Sequence, residues 1–153
     1  MRNEESQSVN FELVGDTKFK ISYNSSLFED HLLDYPSIPE EERPGQMRRL
    51  LCAAAVGCFT GTIYFALETG TIYFALESRG ARIKSLKGTG LASTGKNNGS
   101  LTKVKAIDIR VEVDIDDEDS EILEKVKKIV EKGCLITRSI SPSIAVTHTI
   151  VRI

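Results

Sequence analysis

The chain of 153 residues lacks the motifs that mark a metal or cofactor site. It contains no Cys-x-x-Cys motif, and its two histidines, His31 and His148, lie far apart and match no metal-ligand spacing. We therefore predict that the protein binds no metal and uses no cofactor.

An excess of charge of either sign is also missing. The 20 Lys and Arg residues nearly balance the 22 Asp and Glu residues, and the basic residues form no long run. Because nucleic-acid binding generally depends on a basic patch, we predict no nucleic-acid partner.

Cysteine is scarce as well. The three cysteines are an odd number and are widely spaced, which does not resemble the dense disulfide framework of small secreted domains. The polar and acidic residues 1–11 do not resemble a signal peptide. Together these features predict a protein of the reducing cytoplasm.

What the sequence does contain is a long uncharged stretch, residues 50–67. It reaches the lower length limit of a membrane-spanning helix, and Gly57 and Gly61 have the spacing of a helix-dimer face. Its Ala, Gly, Cys and Thr residues make it only mildly apolar, however, and no aromatic belt flanks it. We therefore predict a helix over about residues 47–79 that is buried in a soluble core, and no membrane partner.

The segments around this helix alternate in a way that predicts strands. Residues 9–14 and 18–23 read as a hairpin, and residues 24–46 as a loop with a helical turn at 27–33. Two long strands are predicted further on, joined by a turn rich in Gly and Asn, with a bulge where the alternation of the second strand slips; they cover residues 81–93 and 101–115.

Helical spacing returns after the second long strand. It predicts a helix after Asp116 that ends at Gly133, a short helix over 135–141 and a final strand over 144–153. Strands, helix, strands, helices and strand in this order predict an α+β fold. With 41% hydrophobic residues the chain can bury one core, so we predict a single domain over residues 1–153.

An exact repeat occurs inside the long helix. The nonapeptide TGTIYFALE at residues 60–68 recurs unchanged at 69–77. Nine residues rotate a helix about half a turn beyond two full turns and lengthen it by about 13 Å, so a core built for one copy cannot accept the other in register. The helix is therefore predicted to be lengthened, kinked or looped out, and the extra copy could also form an oligomer contact. The sequence leaves open whether the duplication is natural or engineered.

The cysteines differ in what surrounds them. Cys52 and Cys58 are separated by about 9 Å and about 120° on one helix, too far for a disulfide, and both could simply be buried hydrophobic residues. Cys134 follows Gly133 at the predicted start of a helix, with Arg138 on the same face. A helix N-terminus and a guanidinium both favour a thiolate.

Two segments resemble a known family. The sequence LLCAAAVGCFT at residues 50–60 resembles the cysteine-bearing central helix of the OsmC/Ohr proteins. The sequence KGCLITR at residues 132–138 resembles that family's second cysteine motif. The order of strands and helices agrees over nearly the whole chain, and the spacing of the two motifs fits better if one copy of the nonapeptide is removed.

The resemblance implies a fold, an assembly and an activity. It implies a long buried central helix wrapped by antiparallel sheets, in an intertwined homodimer with its sites at the subunit interface. It also implies reduction of organic hydroperoxides, with Cys58 oxidised to a sulfenic acid and Cys134 closing a disulfide with it. A dithiol reductant, which in this family can be a lipoyl protein, then restores the pair.

The sequence departs from the family at the start of the central helix. Family members place a Glu there that holds an activating Arg, whereas this chain has Gln46, Met47, Arg48 and Arg49. Arg43 is the first candidate for the activating guanidinium and Arg48 the second. The missing Glu leaves open a weakly active or inactive member that acts as a thiol sensor or small-ligand binder. A separate alternative is a structural or interaction domain whose three cysteines are all core.

Overall fold

The computed structural model describes residues 7–69, 80–96 and 101–153, and these form an α+β structure as predicted. Two three-stranded sheets and one long helix dominate it. The elements in chain order are β1 (Asn10–Leu13), β2 (Lys18–Ser22), β3 (His31–Asp34), α1 (Gln46–Thr69), β4 (Ile83–Lys96), β5 (Thr102–Ile115), α2 (Ser120–Val130), α3 (Leu135–Ile140) and β6 (Ala145–Arg152).

The chain divides into two compact units, Met1–Gln46 and Met47–Ile153. In the first unit, β1, β2 and β3 form an antiparallel meander, which confirms the predicted hairpin. The predicted helical turn at 27–33 is wrong: residues 27–30 are not helical, and β3 begins at His31 and pairs with β2. The prediction that residues 1–153 form a single domain stays a prediction.

The second unit is built on the sheet β4-β5-β6. The alternation in β5 places five apolar side chains on the buried face, each at most 2% exposed: Ile107, Ile109, Val111, Val113 and Ile115. The predicted bulge is confirmed, because Ser93 pairs with Ala106 and Thr94 with Val104, which leaves Lys105 without an opposite residue.

One feature of this sheet corrects the prediction of antiparallel sheets. β6 pairs with β5 in parallel, with Ile107 opposite Val146 and Val111 opposite Ile150. Residues 116–144, which include α2 and α3, form the long crossover that a parallel pair requires. The sheet is therefore mixed, and its buried face packs in one core with α2 and one face of α1.

Helix α1 approaches β4 closely at two glycines. A Cβ added to Gly88 would lie 2.1 Å from Thr60 Oγ1, and one added to Gly90 would lie 2.2 Å from Val56 Cγ2. Neither position has room for a side chain. The glycines thus fix how near the helix backbone comes to the sheet.

The prediction that α1 is buried holds for one face only. Ala55, Phe59 and Ile63 are fully buried in the core, whereas Phe65 on another face is 64% exposed. By length and composition alone, the helical segment Arg43–Glu68 could cross a membrane: its most apolar window of 18 residues has a mean hydropathy of 1.9, and 28% of that window is buried within this chain.

The second copy of the nonapeptide lies almost entirely outside the described residues, so the predicted lengthening or kinking stays a prediction. α1 is described to Thr69, and the chain resumes at Gly80. There the Ala81 amide donates a 2.7 Å hydrogen bond to the Leu67 carbonyl oxygen. A Cβ on Gly80 would lie 1.8 Å from the Glu68 carbonyl oxygen, so the returning chain packs directly on the last turn of α1.

Candidate thiol site

Cys58 lies on the part of α1 that faces the start of α3. Its side chain is half-buried, and its sulfur is in hydrogen-bonding contact with that of Cys134. The amides of Leu135 and Ile136, in the first turn of α3, also act on the Cys58 sulfur. The fold therefore brings together the two cysteines that the family resemblance pairs, although they are 76 positions apart in the sequence.

Cys134 is the N-cap of α3 and is only 3% exposed. The preceding Gly133 has φ +80°, a left-handed conformation that favours glycine. A Cβ there would also lie 2.4 Å from Thr137 Oγ1. Backbone geometry and lack of space both require glycine before this cysteine.

Thr137 holds Cys134 in place, a role that the sequence interpretation missed. Its hydroxyl accepts a 2.9 Å hydrogen bond from the Cys134 amide. The same oxygen lies 3.3 Å from the Cys134 carbonyl oxygen and 3.4 Å from its Sγ, so its proton can be donated to either. Thr137 is 2% exposed. The available signal was a hydroxyl residue three positions after an N-cap, the spacing of a reciprocal helix cap.

The pKa values of the Cys58 and Cys134 thiols are shifted in opposite directions. Burial raises the pKa of Cys58, and the neighbouring Cys134 raises it further, against the amides of α3. Burial also opposes ionisation of Cys134, but the Cys58 thiol, the Thr137 hydroxyl and the amides of Thr137 and Ile136 outweigh it, and they lower the pKa of Cys134. The protonation of each thiol therefore depends on that of the other.

The arginines singled out from the sequence occupy three different settings. Arg138 Nε donates to the Cys134 carbonyl oxygen at 3.3 Å, so it supports the backbone of the cap. Arg43, in the first unit, is exposed and its Nε donates to the Ile38 carbonyl oxygen at 2.9 Å. Arg48 is half-buried in the first turn of α1.

Cys52 has a different neighbour from Cys58. Its Sγ would lie 2.9 Å from a Cβ on Gly90, so it packs against the backbone of β4. Burial alone raises the pKa of Cys52. This is the buried-hydrophobe role that was considered for both cysteines of α1.

The two histidines take part in aromatic contacts. The ring centroids of His148 and Phe59 are 4.5 Å apart, and those of His31 and Tyr23 are 5.5 Å apart. Within residues 7–69, 80–96 and 101–153, no three or more His, Cys, Asp or Glu side chains are grouped so that they could hold a metal ion.

Solved structures of low sequence identity share this fold. An OsmC-like protein of unknown function from Vibrio cholerae O1 aligns with a TM-score of 0.71 and 13% identity, over 97% of this chain and 100% of that chain. An organic hydroperoxide resistance protein from Elizabethkingia anophelis aligns with a TM-score of 0.61 and 12% identity, over 100% of both chains. The organic hydroperoxide resistance protein OhrB of Bacillus subtilis aligns with a TM-score of 0.52 and 16% identity, over 96% of this chain and 98% of that chain.

The family assignment comes from the sequence. A search of proteins with curated descriptions finds no match. A scan against protein families matches residues 48–149, which span both cysteine motifs, to the family described as OsmC-like protein. The chain therefore belongs to the OsmC-like protein family, and its two sheets and long helix are the OsmC-like fold.

Proposed function

We propose that the protein is a two-cysteine peroxidase that reduces organic hydroperoxides in defence against oxidative stress. The observation that carries the proposal is the contact between the Cys58 and Cys134 sulfurs. Family membership and the hydroperoxide-resistance proteins among the structural relatives support the same chemistry.

In this proposal Cys58 attacks the peroxide and Cys134 resolves the product. Cys58 is half-buried whereas Cys134 is 3% exposed, so Cys58 is the thiol that a substrate can reach. Leu135, beside the pair, is 68% exposed and offers an apolar surface to an organic substrate. The Cys58 sulfenic acid condenses with Cys134 to a disulfide and water, and an external dithiol, such as a lipoyl protein, reduces the disulfide.

The proposal includes a second copy of the chain and an activating arginine. The exposed apolar residues of α1, among them Met47, and the small residues Gly57 and Gly61, where an added Cβ would meet nothing within 4 Å, suit a homodimer contact. Arg43 remains the candidate for a guanidinium at the thiol in this proposal, and its Nε donates to the Ile38 carbonyl oxygen. Three free cysteines suit a reducing cytoplasm.

The second candidate function is a thiol sensor or small-ligand binder with weak turnover. It is favoured by the raised pKa of Cys58, which burial causes, and by the absence of the family's Glu at the start of α1. A peroxidatic cysteine must ionise to attack, so this environment slows the first step unless another group compensates.

The deciding experiment is non-reducing peptide mass spectrometry after one equivalent of cumene hydroperoxide. We expect a new Cys58–Cys134 disulfide that a dithiol reverses, and the same link in Cys52→Ser. Repeated turnover with dihydrolipoamide would separate a peroxidase from a sensor. A Cys58 that stays a free thiol would refute the peroxidase proposal.

A further inference from the structure

Three exposed lysines follow one another along the outer side of α2, and we call them the lysine row: Lys125, Lys128 and Lys132. Glu131 keeps helical backbone angles past the end of α2, so the spacing of three and four residues places all three lysines on one side of the helix. The row is about 10 Å long at the rise of an α-helix. Lys132 lies two residues before Cys134, so the row ends beside the thiol pair.

No ion pair neutralises the lysine row within residues 7–69, 80–96 and 101–153. On the same helix, Lys127 Nζ lies 2.7 Å from Glu124 Oε1, so these two residues cancel each other's charge. Two exposed carboxylates remain there, Glu121 at the far end from the thiol pair and Glu131 near it. The outer side of α2 therefore keeps an excess of positive charge, although the whole chain has a net charge of -2.

Apolar and cationic side chains continue the lysine row to the thiol pair. Ile129 lies between the lysines in the sequence and is 39% exposed. Leu135 is 68% exposed, and its backbone amide acts on the Cys58 sulfur. Arg138 is exposed, and its Nε donates to the Cys134 carbonyl oxygen. Together with the lysine row, Ile129, Leu135 and Arg138 form what we call the basic surface.

We propose that the basic surface is the docking site of an acidic protein that carries a dithiol and reduces the Cys58–Cys134 disulfide. The inference rests on the proposed peroxidase function and names the partner of the thiol site by its chemistry. A surface with four cations and two exposed apolar side chains fits a patch of carboxylates around an apolar centre. Complementary charge speeds the encounter of two proteins and orients them, here with the partner's dithiol at the pair.

A protein partner fits the basic surface better than a lipid surface does. The apolar face of α2 is already used in the core, where Leu123, Val126 and Val130 are at most 4% exposed. A helix that binds a membrane surface inserts such a face between the lipids, which α2 cannot do while it packs on the sheet. Ile129 and Leu135 supply only the small apolar centre of a protein contact.

The reduction needs no reactant besides the partner's two thiols. One of them, as a thiolate, attacks the Cys58 sulfur, which is less buried than that of Cys134, and forms a mixed disulfide. Cys134 leaves as a thiolate and takes up the proton that the attacking thiol released. The second partner thiol then breaks the mixed disulfide, and Cys58 leaves and takes its proton. Two electrons and two protons reach the cysteine pair, and the partner keeps a disulfide.

The first test compares two reducing peptides that differ only in charge. Both contain the dithiol sequence Cys-Gly-Pro-Cys, with four flanking Glu residues in one and four flanking Lys residues in the other. The rate at which each reduces the Cys58–Cys134 disulfide is divided by its rate with hydroxyethyl disulfide, which corrects for thiol acidity. We expect a ratio of about ten in favour of the acidic peptide at low salt, and a smaller ratio as salt screens the attraction. Equal rates would overturn the inference.

The disulfide for this test is formed with diamide, so the result does not depend on a peroxide. If diamide forms the disulfide and cumene hydroperoxide does not, the peroxidase proposal fails while the two peptides still decide the inference. A chain in which diamide forms no Cys58–Cys134 disulfide would leave the partner nothing to reduce, and the inference would be wrong.

Charge reversal of the lysine row tests where the partner docks. The variant carries three substitutions: Lys125→Glu, Lys128→Glu and Lys132→Glu. We expect it to lose the preference for the acidic peptide and to keep the wild-type rate with uncharged dihydrolipoamide, which also reports that the thiol site is folded. A preference that stays at the wild-type ratio would overturn the inference.

A matched control reverses three exposed lysines of the β4–β5 hairpin and has the same net charge: Lys96→Glu, Lys103→Glu and Lys105→Glu. Lys96 lies about 26 Å along β4 from Gly88, which packs on Thr60 of α1. We expect the control to keep the preference, and equal losses in both variants would show that net charge decides. Binding to phosphatidylglycerol vesicles that depends on the lysine row, with equal rates for the two peptides, would assign the surface to a membrane and overturn the inference.

Discussion

Cys52 and Cys58 lie on the same helix, less than two turns apart, and the structure gives them different chemistry. Cys52 packs against the backbone of β4 at Gly90, where burial is the only influence on its pKa. Cys58 faces the start of α3, where amides and a second thiol surround it. The helix contributes nothing that distinguishes the two, so the reactivity of a cysteine here is decided by the element that packs on it.

The largest expected effect is the loss of reactivity at one cysteine and not the other. We expect Cys58→Ser to reduce hydroperoxide turnover to the uncatalysed background, because the nucleophile is gone, and Cys52→Ser to keep it. Turnover is measured with cumene hydroperoxide and a dithiol. Equal losses in both variants would mean that the two sites are not different in function.

The next effect concerns the close approach beneath Cys52. Gly90→Ala places a Cβ 2.2 Å from Val56 Cγ2, and we expect the free energy of unfolding to fall by about 1–3 kcal/mol. Gly15→Ala is a matched control, because its Cβ would meet nothing closer than 3.8 Å. Urea unfolding at one fixed protein concentration measures both. A neutral Gly90→Ala would show that α1 can move away from β4.

A side chain at Gly133, just before Cys134, should reduce stability nearly as much, and it should also affect formation of the disulfide. Gly133→Ala combines a left-handed φ of +80° with a Cβ 2.4 Å from Thr137 Oγ1. We expect a loss of about 1–3 kcal/mol in the free energy of unfolding, together with slower formation of the Cys58–Cys134 disulfide. Gly90→Ala should leave the disulfide rate unchanged in its folded fraction, so the pair of variants separates stability from chemistry.

The raised pKa values of Cys58 and Cys52 also predict an effect of pH on stability. A folded pKa raised above the ordinary value of 9.0 stabilises the native state below pH 9, and this contribution is lost as the pH rises through the folded pKa. Cys134 shifts the other way, so its contribution is present above pH 9. Each of these two thiols also shifts the pKa of the other, so a substitution at either changes both contributions. Burial raises the pKa of Cys52 without such coupling, and we expect the melting temperature to fall less steeply above pH 9 in Cys52→Ser than in wild type.

The sequence was sufficient for most elements, though not for β3, and insufficient for their contacts. Alternation and helical spacing predicted both long strands, the bulge at Lys105 and the short helix after Cys134, because these are local patterns. The parallel direction of β6 was missed, since alternation carries no information about strand direction. The meeting of Cys58 with Cys134 followed only from the family resemblance, and Thr137 was overlooked because its value depends on the turn it closes.

The duplicated nonapeptide provides the smallest expected effect. The Ala81 amide bonds to the Leu67 carbonyl oxygen across a separation of 14 residues. Deleting residues 69–77 would reduce this separation to five, which is the 6→1 bond of a Schellman helix end, and would place Gly80 at the position where that motif favours glycine.

The shortened chain therefore already contains the hydrogen bond and the glycine of a regular helix end. We expect the deletion variant to unfold with a free energy within about 1 kcal/mol of the parent, or higher, because the deletion shortens the segment that the Leu67–Ala81 hydrogen bond closes. Urea unfolding measures the difference, and alkylation of Cys58 and Cys134 reports whether the thiol site is kept. A loss of several kcal/mol would place the second copy in the core, and the nonapeptide would then be part of the fold.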